Sequence, residues 1–172
     1  TKLERLIPGH EVVRSWRDFT PEQCTATDFI ILSGGSKMQL VGNEEEFSNE
    51  LELIRTTQKP LIGICFGCEL IATAWGGTLK EMAEKHKGIR KITVLQPEFF
   101  GGKTELAVFE SHRWIIDTMP EGFEVLAESE QGPEMIKHKT LPIYGLQFHP
   151  ENLVDQTEGD EVFLQLLSRV TQ

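Results

Sequence analysis

Residues 59–77 read KPLIGICFGCELIATAWGG, and this stretch decides the fold. Positions 61–64 form a short apolar run of the kind buried on both faces of a parallel sheet. From Phe66 the apolar residues take helical spacing, and Gly76 and Gly77 close that helix. Cys65 stands at the junction, with Gly63 and Gly67 two positions to either side. A strand, a nucleophilic residue, small neighbours and then a helix make a nucleophile elbow. The turn is tight enough to strain the apex residue, so its neighbours must be small. The apex thiol would sit at a helix N-terminus, where free N–H groups and the macrodipole lower its pKa. Cys68, three positions on, admits two further readings of the pair: a redox couple or half of a metal site.

Before the elbow, DFIILSGG (28–35) is an apolar run ending in glycines, which suits a buried parallel strand entering a loop. HEVVRSW (10–16) alternates like a short strand. Residues 44–58 space Phe47, Leu51 and Ile54 as an amphipathic helix that ends before Pro60. After the elbow come GIRKITVLQ, TELAVFES, FEVLAESE, PEMIKHK and LPIYGLQF, short strand-like segments set apart by glycine and proline turns. HRWIIDTM (112–119) allows a short helix with Ser111 as its cap, and the charged run 80–88 reads as a solvated loop. EGDEVFLQLLSRV (158–170) is a final amphipathic helix with Val162, Phe163, Leu166 and Leu167 inward.

These elements predict an α/β fold: an open, mainly parallel, flavodoxin-like sheet flanked by helices, with a small antiparallel extension. The 172 residues fit a single domain. The opening TKLERLIP reads as the second half of a helix, which suggests an earlier strand missing from this chain. In such sheets the active site lies beyond the carboxyl ends of the strands, where Gly34, Gly35, Cys65 and His149 fall.

Seventeen Lys and Arg against 27 Asp and Glu give a formal charge of −10, which argues against a nucleic-acid ligand. No apolar run approaches the roughly 20 residues of a membrane span. Three cysteines are too few for a disulfide scaffold, so reduced thiols in a cytoplasm are expected.

A second motif supplies what a cysteine nucleophile needs. LPIYGLQFHPE (141–151) is an apolar strand ending in His149, with Glu151 two residues further on. The imidazole can take the thiol proton, and the carboxylate can hold the productive tautomer. A redox couple needs no such distant motif, and a zinc site needs about four ligands at plausible spacing. Cys68 reads more simply as a small buried residue.

Taken together, ILSGG, PLIGICFG followed by Glu69, the glycines after the elbow helix, ESH (110–112) and YGLQFHPE resemble the class I glutamine amidotransferases. The resemblance runs from about Glu11 onward. It implies hydrolysis of the glutamine side-chain amide through a γ-glutamyl thioester, with ammonia passed to a synthetase partner, itself ATP-dependent. On this resemblance Cys65 is the nucleophile, His149 the general base and acid, and Glu151 the orienting group. Gly35 and Phe66 give the oxyanion-hole amides. Gly34, Glu69, Glu110, Ser111 and His112 line the substrate, the last three chiefly through backbone. ESHRW (110–114) is closer in spelling to the GMP-synthase type than to the anthranilate or carbamoyl-phosphate types. No metal or organic cofactor is expected.

One position departs from the family pattern, which usually has Gln where this chain has Glu69. An ionised carboxylate accepts hydrogen bonds but cannot donate them, and it raises the pKa of a nearby thiol. Glu69 therefore points to altered handling of free glutamine, through receipt of a substrate α-ammonium, a changed substrate or a weakened glutaminase. The alternatives are a stand-alone γ-glutamyl hydrolase on this scaffold and a non-catalytic regulatory subunit. His10, His86 and His138 carry no supporting pattern.

Overall fold

The computed structural model describes residues 2–7, 9, 19–35 and 38–170; the strand expected at 10–16 lies outside the described residues. Strands β1 (Ile30–Leu32) and β2 (Leu61–Ile64) and helices α1 (Ser48–Thr56) and α2 (Phe66–Ala74) form the first half. Strands β3 (Thr78–Val94), β4 (Glu105–Thr118), β5 (Phe123–Glu128), β6 (Pro133–His138) and β7 (Ile143–Leu146) follow, then helix α3 (Gly159–Val170).

The described strands make one open sheet in the order β1-β2-β7-β6-β5-β3-β4. β1, β2 and β7 are parallel, with Leu61 paired to both Ile30 and Ile143. All eight residues of β2 and β7 are buried, as expected of strands covered on both faces. One face packs against α1 and α2 through Leu51, Ile54, Ile71, Leu61 and Ile143. The other packs against α3 through Phe163, Leu166, Ile62, Ile64 and Phe148.

The antiparallel part exceeds the small extension expected. Four of the six strand pairings are antiparallel, so the sheet is mixed rather than mainly parallel among the described residues. The excess comes from the long β3–β4 hairpin. Residues 80–88, expected as a solvated loop, lie within β3. The stretch 112–118, expected to allow a helix capped by Ser111, continues β4. Leu106, Val108, Glu110 and His112 are buried at every second position, which is the period of a strand. β-branched and aromatic residues at 114–116 favour continuing that strand over starting a helix.

Most of β3 meets only β4, because β5 joins it at Thr93 and Val94 alone. A register shift between Glu81 and His86 marks a bulge. Bulges bend and twist a hairpin, and β4 of this one meets the loop that follows the carboxyl end of β7. There the Phe109 carbonyl accepts a 2.8 Å hydrogen bond from the His149 amide.

Candidate active site

The elbow is built as the glycines require. Cys65 adopts φ 51 and ψ −104, a backbone conformation that non-glycine residues rarely take. Its amide donates to the Leu146 carbonyl at 2.7 Å, and its own carbonyl accepts from Cys68 at 2.9 Å and Glu69 at 3.1 Å. The apex is thus fixed from the sheet side and the helix side together. A Cβ on Gly63 would collide with the Gly67 carbonyl, and one on Gly67 with the Leu32 carbonyl. Both glycines exist so that α2 can start directly against β1 and β2.

Gly34 brings the two motifs together. A Cβ there would lie 2.9 Å from His149 Cε1 and 3.0 Å from Cys65 Cβ, so nucleophile and histidine face one another across it. His149 Nδ1 lies 2.9 Å from Glu151 Oε1. Since the carboxylate can only accept, Nδ1 carries the proton and Nε2 keeps its lone pair for base work. Gly35 holds φ +96, which keeps that turn open only to glycine and leaves its exposed backbone accessible.

The thiol pKa runs opposite to the helix-terminus expectation. Burial pushes Cys65 up to about 12, and the carboxylates of Glu69 and Glu151 add to the rise. The Phe66 amide and the charge of Lys85, at the β3 bulge, pull it down without prevailing. Desolvation wins here over the macrodipole. The resting thiol is protonated at neutral pH, so attack requires a base. Glu69, on the first turn of α2, is itself pushed up to about 7 by burial, with Gln147 pulling the other way. Near neutrality it is a half-ionised group one helical turn from the sulfur.

Cys68 is not a partner of Cys65; all three cysteines are free thiols. A Cβ on Gly145 of β7 would lie 2.7 Å from Cys68 Sγ, so the thiol fills the gap that glycine leaves. Further out, Glu110 and His112 are buried on β4. Burial alone would raise Glu110, yet His112 and His86 hold its carboxyl below the usual range. Glu134 on β6 is pushed up to about 8 by burial and the Glu110 charge. Sequence reasoning missed Glu134 and the part played by His86, since both meet the site through Glu110 on the hairpin, and Gln147, which meets it through Glu69 on α2. His138 ends β6 by accepting the Leu141 amide at Nδ1, 2.9 Å away, and packs on Trp75 and Phe123.

An open α/β sheet with a strand–cysteine–helix elbow at its carboxyl edge is the frame of a cysteine-nucleophile acyl-transfer enzyme. Residues 8–168 match the family model of the class-I glutamine amidotransferases. The chain belongs to that family, whose members are enzymes with a cysteine nucleophile. It is similar to one of the subunits of glutamine-hydrolysing GMP synthase from Pyrococcus abyssi, 38% identical over 144 residues, spanning 82% of this chain and 74% of the relative. The Methanocaldococcus jannaschii counterpart is 38% identical over 137 residues, 77% of this chain and 69% of its own. Among solved structures, a candidate GMP synthase subunit from Thermoplasma acidophilum superposes with a TM-score of 0.77 at 29% identity, covering 88% of this chain and 77% of the other. A glutamine amidotransferase from Thermotoga maritima, 17% identical, shares the fold with a TM-score of 0.72 over 95% of this chain and 83% of its own. No helix among the described residues is long and apolar enough to cross a membrane.

Proposed function

We propose that this chain hydrolyses glutamine through a Cys65–His149–Glu151 triad and delivers the ammonia to an ATP-dependent synthetase partner, serving as the amidotransferase half of a cytoplasmic GMP synthase. The observation that carries the reading is the convergence on Gly34, where His149 Cε1 and Cys65 Cβ meet while Glu151 holds Nδ1. The free thiols and the likeness to the Pyrococcus and Methanocaldococcus proteins support the location and the partner.

In this mechanism His149 Nε2 removes the Cys65 proton as sulfur attacks the γ-carboxamide carbon. The amides of Phe66 and Gly35 hold the oxyanion. His149 returns the proton to the leaving nitrogen, so ammonia departs and a γ-glutamyl thioester remains. Water, activated by the same imidazole, then releases glutamate. Backbone of Glu110, Ser111 and His112 lies along the substrate, with Gly34 beneath it. Ionised Glu69 receives the α-ammonium.

The test mixes the chain with glutamine, ATP, xanthosine monophosphate as the ammonia acceptor and the synthetase partner of a GMP synthase, then follows glutamate release and GMP formation. Glutamine-dependent GMP formation that disappears in Cys65→Ala is the expected result. The Glu69 carboxylate favours one second reading, a stand-alone hydrolase of γ-glutamyl compounds. Hydrolysis of γ-glutamyl amides with glutamine untouched would establish it instead.

A further inference from the structure

Glu110, His112 and Glu134 are the one cluster of three among the described residues whose side chains could jointly hold a metal ion. Each can offer one ligand atom, and those atoms lie within 4.8 Å of one another. All three residues are at least 97% buried. Glu110 Oε1, His112 Nε2 and Glu134 Oε2 have no hydrogen-bond partner among the described residues. The approach of His112 Nε2 to Glu110 Oε2, at 3.6 Å, is too long for a hydrogen bond.

The other atom of each group is held from outside. His86 Nδ1 lies 3.1 Å from Glu110 Oε2. Ser129 Oγ donates to Glu134 Oε1 at 2.8 Å. His112 Nδ1 lies 3.2 Å from the Trp114 carbonyl, which can only accept, so Nδ1 carries the proton and Nε2 presents a lone pair. Each of the three buried groups therefore has one atom fixed by an outer partner and one left without a hydrogen bond, and Glu110 Oε2, which His86 holds, is also the oxygen that approaches His112 Nε2. Metal-binding histidines and carboxylates are oriented in this way. In their deprotonated forms the three groups offer one another only acceptors, whereas a cation satisfies all three at once and displaces the Glu134 proton on binding.

We propose that Glu110, His112 and Glu134 form a binding site for a divalent transition-metal ion of the zinc type, distinct from the Cys65–His149–Glu151 site. One imidazole and two carboxylates suit Zn²⁺, with water completing a four-coordinate shell. Ligand bonds of about 2.0–2.2 Å require the side chains to close in by about an ångström. The ion clamps β4 to β6 and fixes the backbone of Ser111 and His112, so its role is structural. It departs from the expectation of no metal, which weighed the two cysteines and scattered histidines but no carboxylates.

The test uses the full chain, stripped with a chelator and titrated with Zn²⁺ against a chromophoric competitor. One tight equivalent is expected in the native chain and in Cys65→Ala, with a higher melting temperature on binding. Glu134→Gln, nearly the same shape, is expected to bind roughly 100-fold more weakly. Co²⁺ should give ligand-field bands without a sulfur charge-transfer band. Absence of stoichiometric binding, full affinity in Glu134→Gln, loss of binding in Cys65→Ala, or a thiolate–Co²⁺ band would each overturn the site. Glutamine hydrolysis is not read in this experiment, so the functional proposal stands or falls apart from it.

Discussion

At the scale of single residues, the structure sets a buried thiol, held up to about 12, beside a histidine. In the proposed mechanism that thiol reacts only while His149 takes its proton, so Glu69 and Gly34 are the residues to perturb. Glu69→Gln removes a charge that raises the thiol pKa, and alkylation of Cys65 by iodoacetamide above pH 8 should quicken several-fold. The same change should raise the KM for glutamine by loss of the α-ammonium contact; an unchanged KM would remove that contact from the mechanism. Stability follows with a definite sign. Glu69 binds its proton more tightly folded than unfolded, at about 7 against the ordinary 4.5. Its favourable contribution is therefore complete below about pH 4.5 and lost as pH rises through about 7. Glu69→Gln should melt higher than the native chain at pH 8–9, by on the order of 1–3 kcal/mol in stability, and match it below pH 4.5. Gly34→Ala places a methyl within 3.0 Å of both His149 and Cys65. Turnover should fall by at least about 100-fold with little change in melting temperature.

At the scale of elements, the elbow was legible because its constraints are local. Gly63, Cys65 and Gly67 announce a strand meeting a helix within one turn, and the backbone at φ 51 bears this out. The hairpin was not legible, because its period is masked. β3 is largely exposed on both faces, so its charges read as a loop, and Glu110 and His112 stand where a core strand would show apolar residues. Their burial depends on partners far away in sequence, at positions 86 and 134. The same logic ranks two glycine substitutions. Gly67→Ala drives a methyl into the Leu32 backbone, whereas Gly76→Ala, at φ +78, meets open space. Urea unfolding should show a loss of about 2–4 kcal/mol for the first and about 1 kcal/mol for the second.

At the scale of the whole molecule, the edge of the sheet is tied to the loop that carries His149. The free edge of β4 holds the loop after β7 at two points: Phe109 accepts the His149 amide, and Glu158 Oε2 accepts the Ala107 amide at 2.7 Å. Glu158→Ala should loosen that second hold and lower kcat/KM for glutamine by roughly tenfold, while the labelled cysteine stays the same. The central claim, that Cys65 alone among three thiols attacks glutamine with help from His149, is tested most directly by covalent trapping. The chain is incubated with a mechanism-based electrophilic glutamine analogue, and the modified peptide is identified by mass spectrometry. One adduct on Cys65, retained in Cys68→Ala and greatly slowed in His149→Ala, is the predicted result. An adduct on Cys68, or labelling indifferent to His149, would contradict the account.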